Sequence, residues 1–118
     1  MPQAFETITS FQNSKIKLAK KLRDKRHRER EQRFVIEYSR DLARALDCDY
    51  SVDYALYCAD IADKDDRLVL ERLDLHRVYA VSADVLAKAS YRQNPSGLLA
   101  VMHANSSRSL QHIEKAIS

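Results

Sequence analysis

Apolar residues in this chain alternate between short continuous runs and stripes spaced three or four apart. Phe34-Val35-Ile36, Tyr54 to Ala59, Arg77-Val78-Tyr79-Ala80-Val81 and Leu98 to Met102 are the runs. Their β-branched and aromatic content predicts four strands buried on both faces. The stripes predict helices. Ile16, Ala19 and Leu22 mark one that starts near Lys15, with Asn13 or Ser14 as its cap. Leu42, Ala43, Ala45 and Leu46 mark a second, capped by Ser39 and carrying Asp41 in its first turn. Asp63, Lys64, Asp65 and Asp66 open a third, with Leu68, Leu70 and Leu73 as its apolar residues. Ser82 caps a fourth with Val85, Leu86 and Ala89. After a polar linker, Ser106 to Ser109, the residues Leu110, Ile113 and Ile117 suggest a terminal helix.

Thr7 to Asn13 reads as a polar lead-in, and Asp47 to Asp53 as a turn-rich break. In Asn94-Pro95-Ser96-Gly97, Pro suits the second position of a turn and Gly the last. Strands alternating with helices predict an α/β domain, a sheet with helices on its faces. The expected division is one domain over residues 1–105, with a linker and helix over 106–118.

Composition narrows the chemistry. The 118 residues suffice for a single core. Gly97 is the only glycine, which excludes a P-loop and a dinucleotide-binding fingerprint. Nothing in the spacing of Cys48 and Cys58 demands a disulfide, and both read as reduced thiols. Met1 to Phe11 has no signal-peptide run, and no segment is long enough to span a bilayer. The expectation is a cytosolic (cytoplasmic) protein.

Charge changes the picture most. The arm from Asn13 to Arg33 holds Lys15, Lys17, Lys20, Lys21, Arg23, Lys25, Arg26, Arg28, Arg30 and Arg33, against Asp24, Glu29 and Glu31. Its balance is +7, while the rest of the chain is −4. Such polarisation attracts a polyanion, most simply a phosphate backbone. A charged run can also be an ordinary solvated helix face. Three details favour the polyanion. Opposite-charge pairs at helical spacing are few. No large apolar residue follows Leu22 until Phe34, so residues beyond Lys25 read as a frayed helix or loop. Arginine, which grips phosphate with two hydrogen bonds, replaces lysine along the run.

Other candidate chemistry is thin. His27, His76, His103 and His112 lack metal-ligand spacing. Asp63, Asp65 and Asp66 lack the glycine of a calcium loop and read as helix capping. No nucleophile elbow accompanies the Ser, His and Asp residues. Tyr57 and Tyr79 read as sheet or core residues. Tyr38 and Tyr91 fall at element ends, where an aromatic either packs or stacks on an unpaired base. The residues alone describe a small α/β nucleic-acid-binding domain without catalytic machinery.

The order of features resembles a known family. Ile8-Thr9-Ser10, Asn13-Ser14-Lys15-Ile16-Lys17 and Lys21-Leu22-Arg23 are similar to the opening of SpoU-type (SPOUT superfamily) RNA ribose 2′-O-methyltransferases. Phe34-Val35-Ile36-Glu37 resembles that family's strand ending in Glu-Gly, and Arg40 with Ala45-Leu46 the helix after it. Val78-Tyr79-Ala80-Val81-Ser82, Val85-Leu86 and Asn94-Pro95-Ser96-Gly97-Leu98-Leu99-Ala100-Val101 resemble the end of the same domain. The resemblance departs at three places: Ser14 replaces Pro, and Gln32 and Tyr38 replace glycines. Loss of a glycine restricts positive φ, so the turn after Glu37 is expected to differ.

The resemblance implies the N-terminal substrate-binding domain of such an enzyme, a three-layer α/β/α sandwich similar to kink-turn-binding ribosomal proteins. It implies ribosomal RNA, or sometimes transfer RNA, as partner. It implies a separate knotted domain that binds S-adenosylmethionine, carries the catalytic residues and forms the parent's homodimer. A chain with one glycine holds no such domain, so catalytic residues, metal and cofactor are expected to be absent here. The ten cations of the arm would neutralise phosphates. Arg40, by resemblance, and Arg92, beside the Asn94 turn, would add contacts at the rim. A free-standing structured-RNA-binding protein and a module for an acidic protein partner are the other readings.

Overall fold

The computed structural model describes residues 5–92 and 94–106. In chain order the elements are β1 (Glu6–Thr7), α1 (Ser14–Lys21), α2 (Lys25–Glu31), β2 (Arg33–Ile36), α3 (Ser39–Asp47), β3 (Tyr50–Tyr57), α4 (Lys64–Leu70), β4 (Val78–Ala80), α5 (Ala83–Ala89) and β5 (Leu98–Ser106). One sheet contains all five strands in the order β1-β4-β3-β5-β2. β1 and β3 run parallel to β4, whereas β5 runs antiparallel to both β3 and β2.

Strand residues alternate between the faces, so the sheet separates two cores. Leu99 and Val101 of β5 join Tyr54 and Leu56 of β3 under α1 and α5. Leu98, Ala100 and Met102 join Ala55 and Tyr57 under α3 and α4. This is the three-layer α/β/α sandwich expected. The helices fit because each spends its apolar stripe on the sheet: Ile16 and Ala19 from α1, Leu42 and Ala45 from α3, and Val85, Leu86 and Ala89 from α5. Full burial of one such aliphatic side chain contributes about 1.5–3 kcal/mol.

Several local expectations are corrected. A fifth strand, β1, ends at the first residue of the supposed lead-in, where Glu6 and Thr7 pair with Tyr79 and Ala80. β3 begins at Tyr50, inside the supposed break. Asp49 (φ 66°) makes the turn, and register shifts between Tyr50 and Tyr54 absorb the polar residues. α2 is a formed helix although it buries nothing. Asp24 caps its start by accepting from the Arg26 amide at 2.9 Å, and Gln32 ends it in the left-handed region (φ 54°). Gln32 stands where the resembled family carries glycine, and its backbone adopts the glycine-like conformation. Tyr38, at the other lost glycine, is ordinary extended backbone (φ −108°).

Ser39 is the first residue of α3 and not its cap; its hydroxyl donates to Asp66. α4 buries Val69, while Leu68 is exposed. Leu75–Arg77 forms a 3-10 turn, which shortens the strand expected from Arg77 to Val81. Ser106 ends β5, and the rest of the expected linker and terminal helix lies outside the described residues.

Asp66 holds three segments together. Its carboxylate accepts from the Ser39 hydroxyl, from the Asp63 amide at 3.1 Å and from the Gly97 amide at 3.0 Å. The acidic cluster is therefore a capping box with a buried end, as the capping reading expects. Gly97 is required for close approach, because a β-carbon there would lie 2.3 Å from Cα of Ala62. Gly97→Ala is expected to lower stability by about 1–3 kcal/mol, the usual range for overpacking, as read by urea denaturation.

Candidate nucleic-acid interface

The inward stripe of α1 leaves Lys17, Lys20 and Lys21 outside. Asn13 caps the helix by accepting from the Lys15 amide at 2.8 Å, and Lys20 and Lys21 sit in the last turn, where the helix dipole favours cations. Lys17, Lys20, Lys21 and Arg23 are exposed and, with Asp24 and His27, frame a shallow groove of about 390 Å³. Lys88 of α5 borders Lys17 and Lys20 and extends this surface, its Nζ lying 5.6 Å from the ring of Phe11. Lys25, Arg26 and Arg30 continue it along α2. Lys25 lies 3.9 Å from Glu29, an exposed pair worth little in water. Arg26 and Arg30 have no carboxylate within ion-pair distance among the described residues.

The remaining cations of the arm turn toward the protein. Arg28 donates to the carbonyls of Leu22 (2.9 Å) and Arg23 (2.6 Å), closing the end of α1. Arg33 bridges Glu31 and Asp53. Burial alone would lower its pKa, but hydrogen bonds and charge from Glu31 and Asp53 outweigh this and raise it. Lys15 places its ammonium 5.5 Å and 5.1 Å from the ring centroids of Tyr54 and Tyr79. Lys15 and Arg33 thus line a separate cleft of about 450 Å³, shared with Asp53 and Asp74. In that cleft Tyr54 donates to the Lys15 carbonyl, and burial, followed by the Asp53 charge, pushes its phenol above the ordinary range.

A second group of residues gathers at the end of β2. The Glu37 carboxylate accepts from the Ser90 hydroxyl and, at 2.9 Å, from the Tyr91 amide. The Glu37 carbonyl accepts from the Ser96 hydroxyl. The β2–α3 turn is thereby fastened to the α5–β5 loop. Arg23 reaches this loop from the arm, donating to the Ser90 carbonyl at 2.9 Å and lying 4.7 Å from the Tyr91 ring. Arg92 lies 4.3 Å from the ring of Tyr38. Arg40 and Arg92 share one cleft with Asp41, Asp63 and Asp65.

Sequence reasoning missed the clamp made by Glu37, the two Arg–Tyr pairs and Lys88. Glu37 carried a signal, as a carboxylate directly after the apolar run Phe34-Val35-Ile36. Lys88 carried none, because only packing of α5 beside α1 brings it to the arm. Among the described residues no group of His, Cys, Asp and Glu is placed to hold a metal, and no helix is long and apolar enough to cross a membrane.

Residues 13–100 match the MRM3-like substrate binding domain. The chain belongs to this family. Its fold recurs in a crystal structure of an RNA 2′-O ribose methyltransferase, at 34% identity over 88% of the chain and a TM-score of 0.77. It recurs in the rRNA methyltransferase from Sinorhizobium meliloti (22% identity, 86% of the chain, TM-score 0.67). The SpoU methyltransferase AviRb from Streptomyces viridochromogenes is also similar (20%, 81%, TM-score 0.64). The chain spans 39%, 38% and 35% of those three proteins, respectively. No curated protein matches it in sequence. The family and fold expected from the residues are therefore those found.

Two outcomes follow from the site's bonding. Glu37→Ala is expected to lower stability by about 1.5–3 kcal/mol, the scale of hydrogen bonds to a charged group. It is also expected to speed hydrogen exchange at the Tyr91 amide, read by NMR. Tyr54 ionises near pH 10 when unfolded and at higher pH when folded. The unfolded chain therefore loses that proton first, and stability falls as pH rises above about 10. The stability advantage of the wild type over Tyr54→Phe is expected to shrink between about pH 9 and about pH 11 in urea titrations.

Proposed function

We propose that this domain grips RNA through the outer faces of α1 and α2 and presents it to an S-adenosylmethionine-dependent ribose methyltransferase domain. The observation that carries this reading is the one-sided cationic surface. The apolar stripe of α1 is spent on the sheet, α2 buries nothing, and seven cations of the arm remain exposed. Lys17, Lys20, Lys21, Arg23, Lys25, Arg26 and Arg30 are the phosphate contacts, joined by Lys88. Arg28 and Arg33 support the surface from behind.

Ribosomal RNA is the substrate class we favour; family membership supports RNA, and the S. meliloti neighbour is itself described as an rRNA methyltransferase. This reading assigns the methyl donor and the chemistry to a second domain, supported by the neighbouring methyltransferases, of which the chain spans 35–39%. The domain's contribution is orientation. Holding the target ribose at a fixed distance from the reacting groups converts an encounter between two molecules into a step within one complex. Shape and unpaired segments supply the selectivity, because side chains do not fit the A-form major groove.

The test is a titration with ribosomal and transfer RNA fragments at several salt concentrations. The triple variant Lys17→Ala, Lys20→Ala, Lys21→Ala is expected to bind ribosomal fragments more weakly. Its log–log salt slope is expected to be shallower by about 2, near 0.7 for each lost contact to a single strand. Its thermal midpoint should hold, because all three side chains are exposed. Unchanged affinity would remove the arm from the interface, and a preference for transfer RNA would replace the ribosomal assignment.

A further inference from the structure

Resting on the RNA reading, we propose that Tyr38 and Tyr91 form a stacking platform for unpaired bases, held in place by Arg23, Arg92 and Glu37. Both rings are unusual for tyrosines in a domain this size, being 53% and 54% exposed. Each has a guanidinium over it, Arg92 at 4.3 Å from Tyr38 and Arg23 at 4.7 Å from Tyr91. Guanidinium contact on one face and half exposure overall leave each ring with surface open to a planar partner. A nucleobase fits that surface, and stacking accepts any base because every base presents a π-face.

The backbone segments that carry the two rings are also tied together. Tyr38 follows Glu37 in the chain, and the Tyr91 amide donates to the Glu37 carboxylate at 2.9 Å. The Ser90 hydroxyl donates to the same carboxylate, and the Ser96 hydroxyl donates to the Glu37 carbonyl. One residue thus anchors both backbones, so less loop freedom remains to be lost on binding. Arg23 continues the cationic surface of α1 directly to Tyr91.

Charge decides which way the strand lies. Beyond Tyr38 the cleft holds Asp41, Asp63 and Asp65 against Arg40 and Arg92, an acidic excess that disfavours phosphate. Phosphates follow α1 and α2, and bases turn toward the tyrosines. The arm gives affinity for any RNA, whereas the platform discriminates unpaired from paired segments. In a duplex the base faces are covered by their neighbours, so the platform gains nothing.

The experiment compares wild type, Tyr38→Leu, Tyr91→Leu, the two Tyr→Phe variants and the Lys17/Lys20/Lys21→Ala triple variant. The probes are a mixed-sequence single-stranded RNA and an RNA duplex with equal numbers of phosphates. Each Leu variant is expected to lose about tenfold in affinity for the single strand, within the usual range for one base–aromatic stack. Its affinity for the duplex and its salt slope should stay at wild-type values, and each Phe variant should bind the single strand as wild type does. Equal losses on both probes, or no loss on the single strand, would overturn the platform while leaving the arm in place. If the wild type and the triple variant bind both probes equally poorly, the RNA reading fails and the platform with it. Circular dichroism melts of the Leu variants separate a local loss from unfolding, and a melted variant is replaced by Tyr→Ser at the same position.

Discussion

Burial of β5 on both faces is the constraint from which the rest of this structure follows. Leu98, Ala100 and Met102 face one way, Leu99 and Val101 the other, and all five are almost completely excluded from water. A strand of that kind is stable only between two layers and only with neighbours on both edges. β3 and β2 supply the edges, antiparallel to it. α1 with α5 and α3 with α4 supply the layers. Apart from the exposed Leu68 of α4, the apolar residues of these helices are largely committed to that task, and their polar faces turn outward.

For α1 the outward residues are lysines, which is how a packing requirement becomes an electrostatic surface. The same logic explains α2. With no apolar stripe it makes no claim on the core, and capping at Asp24 and Gln32 and the two carbonyl contacts of Arg28 hold it at the edge of the sheet. Its charges therefore remain in water, where they can meet a polyanion. Net charge across the chain conceals this, because the residues outside the arm carry fourteen acidic side chains against ten basic ones.

Two carboxylates then decide how the turns around the sheet are held. Asp66 is buried and collects donors from α3, the start of α4 and the turn before β5. Glu37 does the same work for the β2–α3 turn and the α5–β5 loop. A carboxylate accepts several hydrogen bonds at once, and the buried Ser39 hydroxyl and Gly97 amide that Asp66 satisfies would otherwise lack a partner. Such a tie suits a binding surface, since it fixes exposed side chains without covering them.

The residues by themselves determined the layered α/β class, four of the five strands, the cap at Ser82 and, to within Asn13 or Ser14, the cap of α1, the capping character of Asp63 to Asp66 and the polarised arm. These are local properties: periodicity, side-chain oxygens next to helix starts, and charge adjacent in sequence. Tertiary structure alone decided the strand order, the polar two-residue β1, and a β3 that runs through Asp53 because Arg33 meets it from β2. It also decided which cations of the arm stay free, and that Tyr38, Tyr91, Arg23 and Arg92 share one rim. Those facts depend on pairings between residues twenty to seventy positions apart, such as Arg33 with Asp53 and Arg23 with Ser90. A local pattern records what each residue can do, and only the closed sheet brings its partner within reach.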